Sequence, residues 1–118
     1  MGLKIYKEIS NNNADKNDNN ILLEFVCNVK LYDACDIFSS CLHWDEDDGE
    51  YTNISEAWVG ILKHSIDYLG DTISRRRNNT CVNTTNEWFE EANRCYDILF
   101  RKVNTNNEAG DYYIIFVT

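Results

Sequence analysis

Apolar and polar positions alternate along Leu3–Ile9, which reads L-K-I-Y-K-E-I and puts Leu3, Ile5 and Ile9 on one face. A period of two is that of a half-buried strand. The stretch that follows, Asn11–Asn20, is N-N-N-A-D-K-N-D-N-N. It has nothing to pack and reads as a loop. Alternation returns over residues 21–31, where Leu23, Phe25, Cys27, Val29 and Leu31 share a face. A second strand is expected there, paired with the first across the Asn-rich loop. The competing reading is a single helix from Ile21 to Trp44.

The spacing changes to three and four at Asp33. Ala34, Ile37, Phe38, Cys41 and Leu42 recur at that interval and predict a short helix, with Asp33 at the positive end of its dipole. Asn53 and Glu56 have the spacing of a capping box. They predict a long helix from Ile54 to about Arg77, with Ile54, Trp58, Ile61, Leu62, Leu69 and Ile73 as its apolar stripe. Arg75, Arg76 and Arg77 fall in its last turn, where cations meet the negative dipole end. Gly60 and Gly70 each cost a helix about 1 kcal/mol relative to Ala, which implies close packing against a neighbour.

Thr84 and Glu87 repeat the capping-box spacing and open a second long helix, Thr85 to about Val103. Its core face is Trp88, Ala92, Cys95, Tyr96, Leu99 and Val103, and Glu90–Arg94 and Asp97–Arg101 are spaced as ion pairs along it. Tyr112–Val117, Y-Y-I-I-F-V, reads as a buried final strand. The expected fold is α+β in one domain, residues 1–118. A small antiparallel or mixed sheet, two N-terminal strands plus the C-terminal one, is packed by two long helices and one short helix. If residues 21–44 were helical, the alternative would be a mostly α-helical bundle.

Charge adds a location to this picture. The formal net charge is −9, and residues 21–50 alone carry −7. A field of that sign repels nucleic acid and anionic membranes and favours a basic partner. The peak is Trp44-Asp45-Glu46-Asp47-Asp48-Gly49-Glu50-Tyr51, five carboxylates between two aromatic residues. Aromatic anchors beside charge suit a protein interface, and complementary charge speeds association. Trp44, Asp45, Glu46, Asp47, Asp48, Glu50 and Tyr51 are therefore the candidate partner-binding residues. The bland counterpart is a solvated loop with both rings tucked into the core.

Candidate chemistry is sparse. Cys35, Cys41, His43 and Cys81 do not have the ligand spacing of a structural zinc site. Cys27 and Cys95 fall on apolar faces, where a free thiol is a small hydrophobe. In the acidic run Asp45, Asp47 and Gly49 occupy relative positions one, three and five, which misplaces the glycine of a calcium loop. Cys41 and His43 diverge on a helix, and His64 sits at the edge of the long helix's apolar stripe. No phosphate-binding glycine loop or nucleophile elbow occurs. An enzyme is not expected, nor a metal or cofactor. Five cysteines without C-x-x-C spacing, and an opening MGLKIYKEIS without a signal-type apolar core, fit a reducing cytoplasm.

These readings converge on a small acidic cytoplasmic binding protein. Its expected role is that of an inhibitor or immunity protein, an antitoxin that covers the active site of a basic toxin such as a bacterial nuclease. The alternative is a phage or viral antagonist of host defence, either an acidic nucleic-acid mimic or a helical interaction domain. Sixteen Asn and no Pro are what AT-rich coding yields, which suits a mobile element, phage or large DNA virus.

Overall fold

Two antiparallel strands, β1 (Gly2–Ile9) and β2 (Leu22–Val29), open the fold in the computed structural model, which describes residues 2–9, 22–79, 83–105 and 111–117. The expected Asn-rich loop lies outside the described residues. The expected strand pair forms, but not with one continuous face on β2. Ile5 pairs with Cys27 and Tyr6 with Phe25, so Val26 is a bulge. One extra residue reverses the side-chain alternation. Cys27 and Val29 point into the core beside Ile5 and Leu3, while Phe25 and Leu23 join Tyr6 and Glu8 on the opposite face.

Next come the short helix α1 (Ala34–Ile37) and a single 3₁₀ turn over Ser39–Cys41. Together they bury Ala34, Ile37, Phe38 and Cys41. Asp33 precedes α1 but makes no capping hydrogen bond; its side chain is used elsewhere. Two short strands, β3 (Trp44–Asp45) and β4 (Glu50–Tyr51), pair as a hairpin where the sequence read as an open loop.

The helix expected from Ile54 starts five residues late. Ile54–Trp58 is strand β5, and α2 covers Val59–Asn78. A cap contributes about 1 kcal/mol, whereas β5 pairs five residues with the last strand, β6 (Asp111–Val117), at about 1 kcal/mol per hydrogen bond. Ser55 and Ala57 then face inward and Ile54, Glu56 and Trp58 outward, a strand's alternation. The second long helix, α3 (Asn86–Thr105), starts one residue from the expected place. Thr85 rather than Thr84 supplies the oxygen that accepts from the Trp88 N–H, at 3.1 Å.

The main sheet has the order β2-β1-β6-β5, all antiparallel. All helices lie on one face: α3 packs against β2, α2 near β5 and β6, and α1 against β1. Leu3, Ile5, Val29 and Ile114 from the sheet meet Leu62, Ile66, Leu69, Trp88, Ala92 and Leu99 from the helices. Each large aliphatic side chain so buried contributes about 1.5–3 kcal/mol. Both helical glycines sit at close approaches. A Cβ on Gly70 would fall 2.7 Å from the Tyr96 ring, and one on Gly60 would fall 1.9 Å from the Trp58 ring.

Candidate functional site

The acidic run is shaped by its own polar groups. Asp45 Oδ1 accepts from the backbone N–H of Asp47 at 3.0 Å and of Asp48 at 3.4 Å. Its carbonyl accepts from the Gly49 N–H at 2.8 Å. Gly49 closes the turn at φ 67°, a backbone state that only glycine adopts without steric cost. Asp45 pairs with Glu50 and Trp44 with Tyr51. The ladder continues through the Thr52 N–H to the His43 carbonyl at 2.9 Å. Below it, the buried Ser55 hydroxyl accepts from the His43 N–H at 2.9 Å, which ties the hairpin to β5.

This geometry separates the seven candidate residues. Glu46, Asp47, Asp48 and Glu50 are exposed, and Asp45 is partly turned inward to hold the turn. The two rings meet edge to face with centroids 5.0 Å apart. Trp44 is 50% exposed, whereas Tyr51 packs against the core. The reading in which both rings tuck into the core thus holds for Tyr51 and not for Trp44. No ion pair among the described residues neutralises the hairpin's carboxylates. Chemically it is a preformed acidic finger with one exposed indole, suited to cationic side chains.

Of the three arginines only Arg76 is drawn into an internal contact, and Arg75 and Arg77 stay exposed. Arg76 Nη2 lies 2.6 Å from Asp33 Oδ2, and its guanidinium stacks 4.3 Å from the Trp88 ring centroid. Asp33 Oδ1 accepts from Trp88 Nε1 at 3.0 Å. Arg75 pairs with Asp71 at 3.3 Å, and Arg77 lies 5.8 Å from the Phe89 ring.

A polar clasp joins α3 to the edge strand β2. Glu91 accepts from the Lys30 N–H at 3.2 Å and from Arg94, which also donates to the Asn28 carbonyl at 2.5 Å. The Arg94 hydrogen bond, aided by that from Lys30, holds the Glu91 carboxyl below its ordinary pKa against the opposing effect of burial. Arg94 therefore pairs with a residue one position nearer than the expected Glu90, while Asp97–Arg101 forms at 3.3 Å. Beneath the clasp the buried thiols of Cys27 and Cys95 each lie 3.7 Å from the Asn28 carbonyl. The neighbouring Cys27 thiol and burial both push the Cys95 pKa up.

Cys41 is buried with its sulfur 3.2 Å from the Ser65 hydroxyl, and burial raises its pKa. His43 is exposed, and His64 lines a shallow pocket with Asp36, Ser39, Ser40 and Tyr68. Cys81 lies outside the described residues. No group of three His, Cys, Asp or Glu side chains placed to hold a metal occurs among the described residues. No helix among them is long and apolar enough to cross a membrane.

One surface escaped the sequence reading. The face of the sheet opposite the helices carries Tyr6, Leu23, Phe25, Ile54, Trp58, Tyr113 and Ile115. The bulge at Val26 and the strand state of Ile54–Trp58 create it, and neither is visible in local periodicity. No protein-family model, curated protein or solved structure matches the chain significantly.

Proposed function

We propose that this protein is a small acidic binding domain that neutralises a basic protein partner, most simply a toxin of the nuclease type, by covering its cationic active site. The observation that carries this is the hairpin over Trp44–Tyr51. Its exposed carboxylates stand on a turn organised by Asp45 and Gly49, beside an exposed indole. A preorganised charge array loses little freedom on binding and steers a basic partner toward itself. No catalytic role is proposed for any residue.

The test begins with capture of the partner from the source organism at low ionic strength, followed by stopped-flow association. Glu46→Gln/Asp47→Asn/Asp48→Asn keeps the Asp45 turn and removes three charges. Its association rate should fall about tenfold at low salt, and the salt dependence should flatten. The captured partner should be basic and lose its activity in the complex. An unchanged rate, or a partner that stays active when bound, refutes the proposal.

A further inference from the structure

Strand β6 reads D-Y-Y-I-I-F-V, with apolar residues on both faces. That pattern belongs to a strand covered on both sides. The helices cover one side only, over the buried Tyr112 and Ile114. On the other side Tyr113 and Ile115 are only partly covered, and their neighbours are more open. Ile54 is 61% exposed, Trp58 60%, Phe25 54% and Leu23 41%. Single exposed apolar residues are ordinary, but a contiguous patch of this kind marks an interaction surface. It is also built rather than loose. Tyr6 and Phe25 meet edge to face at 5.5 Å, and the Trp58 ring rests on Gly60.

Charge identifies what would cover it. Across one end of the face, Trp58 stands opposite Asp111 and Glu8 opposite Leu23, with Glu56 opposite Tyr113. The neighbouring Asp111 carboxyl raises the Glu56 pKa most, and desolvation and the charges of Asp111 and Glu8 add to it. Burial and the same three carboxylates raise that of Tyr113. No ion pair among the described residues neutralises any of the three. By register, Lys4 lies on this face at the opposite end, beside Ile115 and Asn28. A second copy could set only Lys4 of this face against three carboxylates, leaving most of that charge unpaired, and nucleic acid would be repelled. A cation seated among Trp58, Tyr113 and three carboxylates gains both ion pairing and ring-face attraction.

We propose that the open face of the β2-β1-β6-β5 sheet is a docking surface for a basic protein segment, which sets arginine or lysine against Glu8, Glu56 and Asp111 and apolar side chains against Ile54, Tyr113 and Phe25. The surface is distinct from the acidic hairpin, so either reading stands or falls without the other.

The probe is a synthetic peptide of alternating arginine and leucine, with a glutamate–leucine peptide as its counterpart. Each is titrated into the full chain and followed by backbone amide shifts and calorimetry. The arginine–leucine peptide should bind, with shifts centred on β1, β5 and β6, and the glutamate–leucine peptide should not. Glu56→Gln/Asp111→Asn should weaken binding about tenfold or more. Asp67→Asn/Glu90→Gln removes the same charge from exposed helical positions and should change it by less than about threefold. Ile54→Arg, at an exposed position, should also weaken it. The proposal is overturned if the basic peptide does not bind, if its shifts map to the hairpin or helices, or if both double variants weaken it equally. It is equally overturned if light scattering of the free chain gives a dimer whose interface is this face.

Discussion

Asp33 is buried and bonds to two residues remote in the chain, Arg76 and Trp88. A buried carboxylate of this kind is costly to leave half-paired. Asp33→Ala would strand the Arg76 guanidinium against Trp88 and should lower stability by about 3 kcal/mol. Asp33→Asn keeps an acceptor for Trp88 and should cost less, about 1–2 kcal/mol. Urea unfolding of both variants measures the difference, and equal losses would mean that charge is irrelevant there. Glu91 gives the pH-dependent counterpart. Its folded pKa lies below the unfolded one, so its contribution is present above the unfolded value and is lost as pH falls through the folded one. The urea midpoints of wild type and Glu91→Gln should therefore differ at about pH 7 and converge toward about pH 3. A gap that persists in acid would rule out the carboxylate as its source.

At the level of elements, the hairpin depends on a single backbone conformation. Gly49 has open space around the position of a Cβ, so Gly49→Ala meets backbone strain alone, about 1 kcal/mol. Only two residue pairs hold β3 to β4. The variant should therefore loosen the Trp44–Tyr51 contact, seen as reduced near-ultraviolet circular dichroism, while the global urea midpoint moves little. A large global loss would mean that the hairpin supports the core. Edge strand β2 shows a different device. The clasp of Glu91 and Arg94 occupies the outer Lys30 N–H and Asn28 carbonyl, which blunts part of an edge otherwise open to pairing with another chain. Period-two and period-3.6 patterns were enough to read β1, β6 and both long helices. They were not enough for β5, because I-S-E-A-W-V is compatible with either state and the capping-box spacing pointed to helix.

For the whole molecule, a net charge of −9 means that folding compresses mutually repelling carboxylates. Raising ionic strength from about 10 mM to about 150 mM should therefore raise the melting temperature by a few degrees. The hairpin triple variant should melt higher at low salt and show a smaller rise. A melting temperature that falls with salt would show that attractive ion pairs outweigh the repulsion. The acidity is not smeared over the surface. It is concentrated on the hairpin and at one end of the open sheet face, and of the arginines of α2 only Arg76 is turned to an internal contact.

The sequence by itself determined the two-layer α+β class, the body of both long helices, the core face of α3 and the acidic run from Asp45 to Glu50. All of these are local: periodicity, end signals and like charges in succession carry them without reference to any distant residue. Tertiary structure alone decided the rest. Ile54–Trp58 became a strand because β6 offered a free edge. Phe25 and Leu23 turned outward because one bulge reversed their register. Asp33 found its partners 43 and 55 residues away. Trp44 and Tyr51, alike in sequence as flanks of one acidic run, were parted into an exposed ring and a packed one. In each case the deciding energy comes from groups far apart in the chain, and a local pattern carries no record of them.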